Sequence, residues 1–323
     1  MWQKCALTTL GKLLPSGNMI KRTIYFGNPV YLSLSNAQMM IKKQAEDAGN
    51  GNAMTVSIPI EDIGVVVLDN RQITITSMLL SALLDNNVAI VSCDGKSMPT
   101  GLMLPLYGNT LQSERFAEQI GASLPLKKQL WQQTIEAKIW NQAAVLSAAT
   151  GEVARNMYAW SGSVKSGDAN NIEGRAAAYY WRNIFPEIPF FVRDRNEAPP
   201  NNLLNYGYAI LRAVVARALV AAGLIPTLGI HHHNRYNAYC LADDIMEPYR
   251  PYVDNIVVDI IKSGDTAPSL TKEYKTRLLQ IPILDVAIDG KRSPLMIAVS
   301  STATSLVKCF NGECRKILYP TIE

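Results

Sequence analysis

The histidines are the most concentrated source of chemistry in this chain. The 323 residues include only 3 histidines, and these are consecutive at His231, His232 and His233. Histidine is the commonest metal ligand and titrates nearest to neutral pH. Any reaction that depends on an imidazole must therefore take place at this segment. A solvated loop, or one packed and two exposed imidazoles, is the alternative interpretation of the same residues.

Carboxylates lie close to the histidines in the sequence and again upstream. Asp243 and Asp244 lie four and three residues before Glu247, so either pair falls on one helical face. Another carboxylate, Glu173, lies in an alanine-rich helical segment that also contains Tyr180. Two carboxylates and one imidazole suit a hard divalent ion with an open coordination position, Mg²⁺ or Mn²⁺. Such an ion can polarise a phosphodiester and activate an attacking hydroxyl.

The same carboxylates also have purely structural interpretations. Asn170 followed by Glu173 matches a capping box, in which Glu173 is the third helical residue. Asp243, Asp244 and Glu247 are equally compatible with a solvated helix face. From spacing alone, a metal site remains one interpretation among these.

Several other classes of protein are disfavoured by the sequence. It contains no G-x-S-x-G elbow, no P-loop and no G-x-G-x-x-G loop. The five cysteines are scattered, which predicts no disulfide framework and is typical of a reducing cytoplasm. The N-terminal apolar patch is interrupted by Lys12, so we expect no export and a cytoplasmic protein. The net charge of +4 is too small to indicate nucleic-acid binding by itself.

The periodicity of apolar residues changes once along the chain. Short alternating and β-branched runs dominate from Ile20 to about Leu106, with one helix predicted at 77–84. From about Thr110 onward the apolar spacing is helical. Helices are predicted at 126–149, 237–247, 252–262, 270–279 and 294–308, and a long central helix is predicted from a cap at 201 or 202 to 222.

These patterns predict an α+β fold. We expect residues 1–18 to be an extension outside the fold, residues 19–106 a small β-rich domain, and residues 107–323 a larger all-α domain. In the long central helix, Asn201 or Asn202 is the expected cap and Gly223 the expected stop. Two arginines interrupt the apolar stretch from 206 to 230, which favours a buried helix over a membrane span.

Three segments of the chain resemble one protein family. They are IKRTIYFGNP, NIEGRAAAYYW and the long run from Asn201 to Asp254, which contains LGIHHHNRYNAYCLADDIMEPYRPYVD. From Met19 onward the chain is similar to the CRISPR-associated Cas1 endonucleases and integrases, above all to the branch that accompanies type II systems.

The resemblance implies a metal-dependent DNA endonuclease and integrase that inserts short DNA fragments into a repeat array. The residues it assigns to catalysis and metal binding are Glu173, His232 and Glu247. It assigns Asp244 a supporting role, and we expect Tyr180 to support the site as well. His231 and His233 flank the assigned ligand, so which imidazole faces the metal stays open. The implied cofactor is Mg²⁺ or Mn²⁺.

The resemblance also implies partners. They are double-stranded DNA (both the fragment and the repeat array), a second copy of the chain that pairs through the N-terminal domain, and the small ferredoxin-like protein Cas2. An effector nuclease is a further candidate partner, and no membrane is involved. Two alternatives remain: a general metal-dependent DNA repair nuclease, which would use water as the nucleophile, and a non-catalytic, DNA-organising subunit.

Overall fold

The structure is a computed structural model that describes residues 21–43, 55–194 and 198–323. The chain divides into two compact units, Met1–Gly108 and Asn109–Glu323. The predicted division, between residues 106 and 107, lies two residues before this one. The predicted extension at 1–18 lies outside the described residues.

Among its described residues, 21–43 and 55–108, the first unit contains two sheets and one α-helix. Its strands are β1 (Arg22–Phe26), β2 (Val30–Ser35), β3 (Gln38–Lys43), β4 (Thr55–Pro59), β5 (Ile63–Leu68), β6 (Thr74–Ile75), β7 (Ala89–Cys93) and β8 (Pro99–Met103), and its helix is α1 (Ser77–Asp85). One sheet has the order β1-β5-β7-β8, in which the first three strands are parallel and β8 is antiparallel. The other has the order β4-β3-β2-β6. The strongly apolar β5 is central in its sheet and almost wholly buried, as expected for a covered parallel strand.

The second unit is mostly helical. Its helices are α2 (Gln112–Gly121), α3 (Leu124–Thr150), α4 (Arg155–Ser161), α5 (Ile172–Asn183), α6 (Asn201–Ala221), α7 (Cys240–Met246), α8 (Arg250–Lys262), α9 (Lys272–Leu278) and α10 (Leu295–Phe310). The predicted α+β class, with a β-rich N-terminal part before a mostly helical one, is confirmed. The expectation that the second part is all-α is wrong at one place.

The exception is a β-hairpin between α9 and α10. Strands β9 (Asp285–Ile288) and β10 (Lys291–Pro294) pair antiparallel. The two residues between them, Asp289 and Gly290, both have positive φ, at 51° and 69°. An Asp-Gly pair with this geometry is a strong hairpin signal. That signal is present in the sequence but was outweighed by the helical periodicity on both sides.

The long helices α3 and α6 form the centre of the second unit. Ser123 caps α3 by accepting a hydrogen bond from the backbone N–H of Leu126 at 3.4 Å. Helix α6 is mostly buried and, among the residues that the structure describes, is the one helix long and apolar enough to cross a membrane. Such burial is typical of a core helix in a folded domain.

The predicted cap of α6 is wrong, whereas its predicted end is confirmed. Asn201 and Asn202 are the first helical residues rather than the cap, and the cap position makes no side-chain hydrogen bond. Their amides instead donate to distant backbone carbonyls, Asn201 to Val192 at 3.0 Å and Asn202 to Pro268 at 2.9 Å. Gly223 follows the helix with a φ of 81°, in the left-handed region that favours glycine.

Candidate active site

Glu173 lies in the first turn of α5, with a carboxylate that takes no part in capping. The cap of this helix is Asn171, whose side chain accepts a backbone hydrogen bond from the first turn. The carboxylate of Asp168 accepts two more, including one from the N–H of Glu173 at 3.0 Å. The predicted capping box between Asn170 and Glu173 is therefore wrong. The carboxylate of Glu173 instead contacts Lys138.

Lys138 links Glu173 to Glu247. Its Nζ atom lies 2.6 Å from Oε1 of Glu173 and 2.7 Å from Oε2 of Glu247. The other oxygen of Glu247 lies 3.0 Å from Nε of Arg250. The side chain of Glu247 is 8% exposed and that of Lys138 is 11% exposed, whereas Glu173 is 24% exposed. Two carboxylates from separate elements thus share one cation at the edge of the buried region.

The charges of this cluster stabilise one another. Burial alone would raise the pKa of Glu247, but the positive charges of Arg250 and Lys138 outweigh it and hold that pKa below its ordinary value. Burial alone would lower the pKa of Lys138, but the charges of Glu247 and Glu173 outweigh it and raise that pKa. Glu247 and Lys138 are therefore both ionised at neutral pH.

Asp244 holds the histidine segment in place. It is fully buried, and it accepts hydrogen bonds from the backbone N–H of His231 at 2.9 Å and of His232 at 3.3 Å. One of its oxygens also lies 2.5 Å from Nδ1 of the His232 ring. This contact, together with the charges of nearby carboxylates that include Glu247 and Glu173, raises the pKa of His232. Because Nδ1 is engaged, Nε2 is the ring nitrogen left for a ligand.

The neighbouring imidazoles have different environments. The ring of His231 stacks on the buried Trp131, with centroids 4.1 Å apart and planes 1° from parallel. Burial and the neighbouring His232 lower the pKa of His231. His233 is exposed. Of the three rings, the geometry favours His232 as a ligand, because a buried carboxylate backs it.

Close backbone packing requires a glycine just before this segment. A Cβ atom on Gly229 would lie 2.4 Å from the carbonyl oxygen of His232 and 2.7 Å from Oδ2 of Asp244. Real Cβ atoms do not approach a backbone atom so closely, so any side chain here would displace His232 or Asp244. The absence of a side chain at Gly229 thus allows the backbone to pass close to both His232 and Asp244.

Tyr180 and Asp243 contact other groups than the three predicted ligands. The hydroxyl of Tyr180 donates to the buried Asp254 at 2.9 Å, and Tyr208 donates to the other oxygen of the same carboxylate. Burial raises the pKa of Asp254 to about 6, although both hydrogen bonds oppose the rise. Asp243 accepts two hydrogen bonds from Arg212, at 2.6 and 3.1 Å.

The interpretation of the acidic residues as a solvated helix face is wrong. As whole residues, Asp243, Asp244 and Glu247 are all buried, at 8%, 0% and 6% exposure. Each also has a positively charged or hydrogen-bonding partner, as burial of a carboxylate demands. Solvent exposure therefore explains none of the three.

One face of α3 contacts the histidine segment, both glutamates and the residue after Glu247, and these contacts were not predicted from the sequence. Trp131 stacks on His231, Lys138 bridges the two glutamates, and Asn141 donates to the carbonyl of Pro248 at 2.8 Å. These three residues are seven and three positions apart, so they lie on one face of the helix. The sequence did contain one signal: Lys138 and Asn141 lie among the apolar residues on the buried face of this helix.

The donor chemistry of the three predicted ligands fits a hard divalent ion. Among the described parts of the chain, no three His, Cys, Asp or Glu residues already converge as a metal cluster. Glu173 and Glu247 nevertheless both contact one cation, the ammonium of Lys138, and the His232 ring is fixed with one nitrogen available. Two carboxylates and one imidazole are donors that Mg²⁺ and Mn²⁺ accept.

Comparisons with known proteins agree on one family. The family model described as CRISPR associated protein Cas1 matches residues 24–279. The CRISPR-associated endonuclease Cas1 of Neisseria meningitidis serogroup C is 36% identical over 288 residues, which are 89% of this chain and 91% of that protein. In fold, the chain resembles a casposase bound to an integration product, with a TM-score of 0.73, 20% identity and 91% coverage of both chains. It also resembles a chain of a Cas6-RT-Cas1–Cas2 complex, with a TM-score of 0.71 and 20% identity, covering 94% of this chain and 36% of that one.

Proposed function

This chain belongs to the CRISPR-associated Cas1 family, and we propose that Glu173, His232 and Glu247 are its catalytic metal ligands. It is a nuclease and integrase of CRISPR adaptation. One observation carries the site assignment: Glu173 and Glu247 share a cation, beside an imidazole that Asp244 orients. Catalytic metal sites are commonly built this way, with a carboxylate behind the ligating histidine.

The reaction we assign is attack by the 3′ hydroxyl of a DNA fragment on a phosphodiester of the repeat, which breaks the P–O3′ bond of the repeat strand and releases its 3′ hydroxyl. When bound, Mg²⁺ or Mn²⁺ polarises the phosphodiester and favours the ionised form of the attacking hydroxyl. Glu173 and Glu247 would provide the negative charge that retains the ion, and His232 would provide Nε2. Asp244 fixes the orientation of that ring, and Arg250 holds one oxygen of Glu247. Because one phosphodiester is exchanged for another, no nucleotide is consumed, in line with a sequence that has no P-loop.

We also propose which partners this chain binds. The casposase neighbour is bound to an integration product, and another neighbour is in a complex with Cas2. We extend both to this chain: it binds double-stranded DNA, as fragment and as repeat array, and assembles with Cas2. Pairing of two copies through the N-terminal unit, an effector nuclease as a further partner and a cytoplasmic location complete the proposal.

A strand-joining assay tests the site. The purified protein, with Cas2, a short DNA duplex and a supercoiled plasmid carrying a repeat, is assayed in Mg²⁺ or Mn²⁺. We expect Glu173→Ala, His232→Ala and Glu247→Ala each to reduce joining by about 100-fold or more, because the transition-state charge loses its stabilisation. The exposed Glu152→Ala variant serves as the control and should join normally.

Each outcome of this assay has a defined meaning. Circular dichroism checks that each variant is folded. Normal joining by the folded Glu173 and Glu247 variants would contradict the site. Metal-dependent cutting by the unaltered protein without any joined product would instead favour a plain nuclease that uses water. Neither cutting nor joining, with DNA binding intact, would favour a DNA-organising subunit.

A further inference from the structure

Lys138 lies at the centre of the proposed site although it belongs to none of the motifs that identify it. As a whole residue it is 9% exposed, and it comes from the middle of α3, 35 residues before Glu173 in the sequence. Its ammonium contacts one oxygen of Glu173 and one of Glu247. Burial of a charged lysine costs free energy unless the charge is paired. The position of Lys138 between two carboxylates provides that pairing and raises the question of its role.

We propose that Lys138 is a positioning residue: a resident counter-cation that holds Glu173 and Glu247 together in the metal-free protein and that the divalent ion displaces. The inference rests on the proposed function, because it takes those two glutamates as the metal ligands. Lys138 and the ion then compete for the same carboxylate oxygens.

Glu173 and Glu247 would repel each other without a cation between them. Two carboxylates that approach a common point repel each other, and burial strengthens the repulsion. Glu173 lies on α5 and Glu247 lies between α7 and α8, so no single helix holds them at a fixed separation. The shared contact with Lys138 supplies the attraction that keeps both side chains directed at one point.

Lys138 is better suited than Arg250 to leave the cluster. Arg250 is on the opposite oxygen of Glu247, 3.0 Å away, so that carboxylate keeps one positive neighbour whatever happens to Lys138. Lysine carries a compact charge on a flexible stem of four carbons. Its ammonium can therefore withdraw by rotation of the side chain, without movement of α3. The site can exchange a lysine for a metal ion while Arg250 stays in place.

Two measurements separate this role from an ordinary structural ion pair. A purely structural lysine, when removed, would destabilise the protein and would leave metal affinity unchanged or weaker. A displaceable counter-cation, when removed, would also destabilise the metal-free protein but would strengthen metal binding. A loss of metal-free stability together with a gain in metal affinity therefore identifies the proposed role.

The experiment uses the full chain with Lys138→Met, Lys138→Arg and the control Lys128→Met, which removes an exposed charge from the same helix. Mn²⁺ binding is measured from the electron paramagnetic resonance signal of free Mn²⁺, and thermal unfolding is measured in a chelator. We expect Lys138→Met to bind Mn²⁺ about fivefold more tightly or better, the low end of typical coupling between two ligands. We expect its metal-free unfolding temperature to fall by roughly 4 °C or more.

The other variants complete the test. Lys138→Arg keeps the charge and should restore most of the metal-free stability, and Lys128→Met should match the unaltered protein in both measurements. Lys138→Gln, which keeps a polar head without charge, repeats the test if the methionine variant does not fold. Unchanged or weaker Mn²⁺ binding by a folded, uncharged variant overturns the proposal. Failure of the unaltered protein and of every variant to bind Mn²⁺ overturns the metal site itself, which is a separate result.

Discussion

Asp244 supports the proposed site through three contacts to the histidine segment. It accepts two backbone hydrogen bonds from the histidine segment and one contact from the ring of His232, all while fully buried. An asparagine at this position would have one accepting oxygen instead of two, and its NH₂ group would face a donor. A buried donor left unpaired costs about 1–3 kcal/mol.

We therefore expect Asp244→Asn to lower both stability and metal affinity. The unfolding temperature should fall by several degrees, and Mn²⁺ binding should weaken about 10- to 100-fold, the usual effect of losing the partner of a ligating histidine. Calorimetry and Mn²⁺ titration measure the two quantities. Asp259→Asn, an exposed carboxylate on α8, is the control. Metal affinity that is unchanged in Asp244→Asn would mean that His232 is not a ligand.

The residues of the proposed site could be predicted from the sequence to different degrees. Glu173, His232 and Glu247 lie in local motifs, so a resemblance carries them over one by one. Lys138 contacts residues that are 35 and 109 positions away, and only the packing of α3 creates those contacts. The spacing of residues within one segment cannot predict contacts between residues so far apart in the sequence. The cap of α5 failed for a smaller reason: Asn171 adopts a left-handed conformation, so the helix begins one residue later than the Asn170 pattern implies.

At the scale of elements, α3 organises the site and also anchors the C-terminal segment. Asn141 is fully buried; its amide donates to Pro248 at 2.8 Å and to Pro320 at 3.0 Å, and its oxygen accepts from the N–H of Ile322 at 2.9 Å. The sequence predicted this helix to within two residues at its start and one at its end, because apolar periodicity is local. It did not predict which partners the polar positions meet.

We expect Asn141→Leu to destabilise the protein although it preserves side-chain volume. Two carbonyls and one N–H would lose their partner at once, and unsatisfied buried groups cost about 1–3 kcal/mol each. The unfolding temperature should fall by roughly 5 °C or more. The comparison is Gln133→Leu on the same helix, which loses bonds to the same C-terminal segment at a more exposed position. An equal or smaller fall for Asn141→Leu would show that this network contributes little.

At the scale of the whole molecule, the α+β class followed from the change of period near residue 108, which is a global property of the sequence. The small net charge of +4 conceals an uneven distribution. Residues 124–183 contain seven Lys and Arg against four Asp and Glu, so this segment accounts for most of the excess. It includes the site residues Lys138 and Glu173, and its exposed cations are Lys128, Arg155, Lys165, Arg175 and Arg182.

This distribution predicts where DNA phosphates bind. Each phosphate contact releases counterions and steepens the fall of affinity with salt, by about one unit of slope per contact in a plot of log affinity against log salt. The double variant Lys165→Ala/Arg182→Ala should therefore make this plot shallower, by about two units of slope. The double variant Lys291→Ala/Lys308→Ala removes two exposed charges from β10 and α10 and should leave it unchanged. The measurement is fluorescence anisotropy of a labelled DNA duplex between low and moderate salt. Equal slopes for the two double variants would contradict a binding face around α3–α5, since only a localised face makes the position of a charge matter.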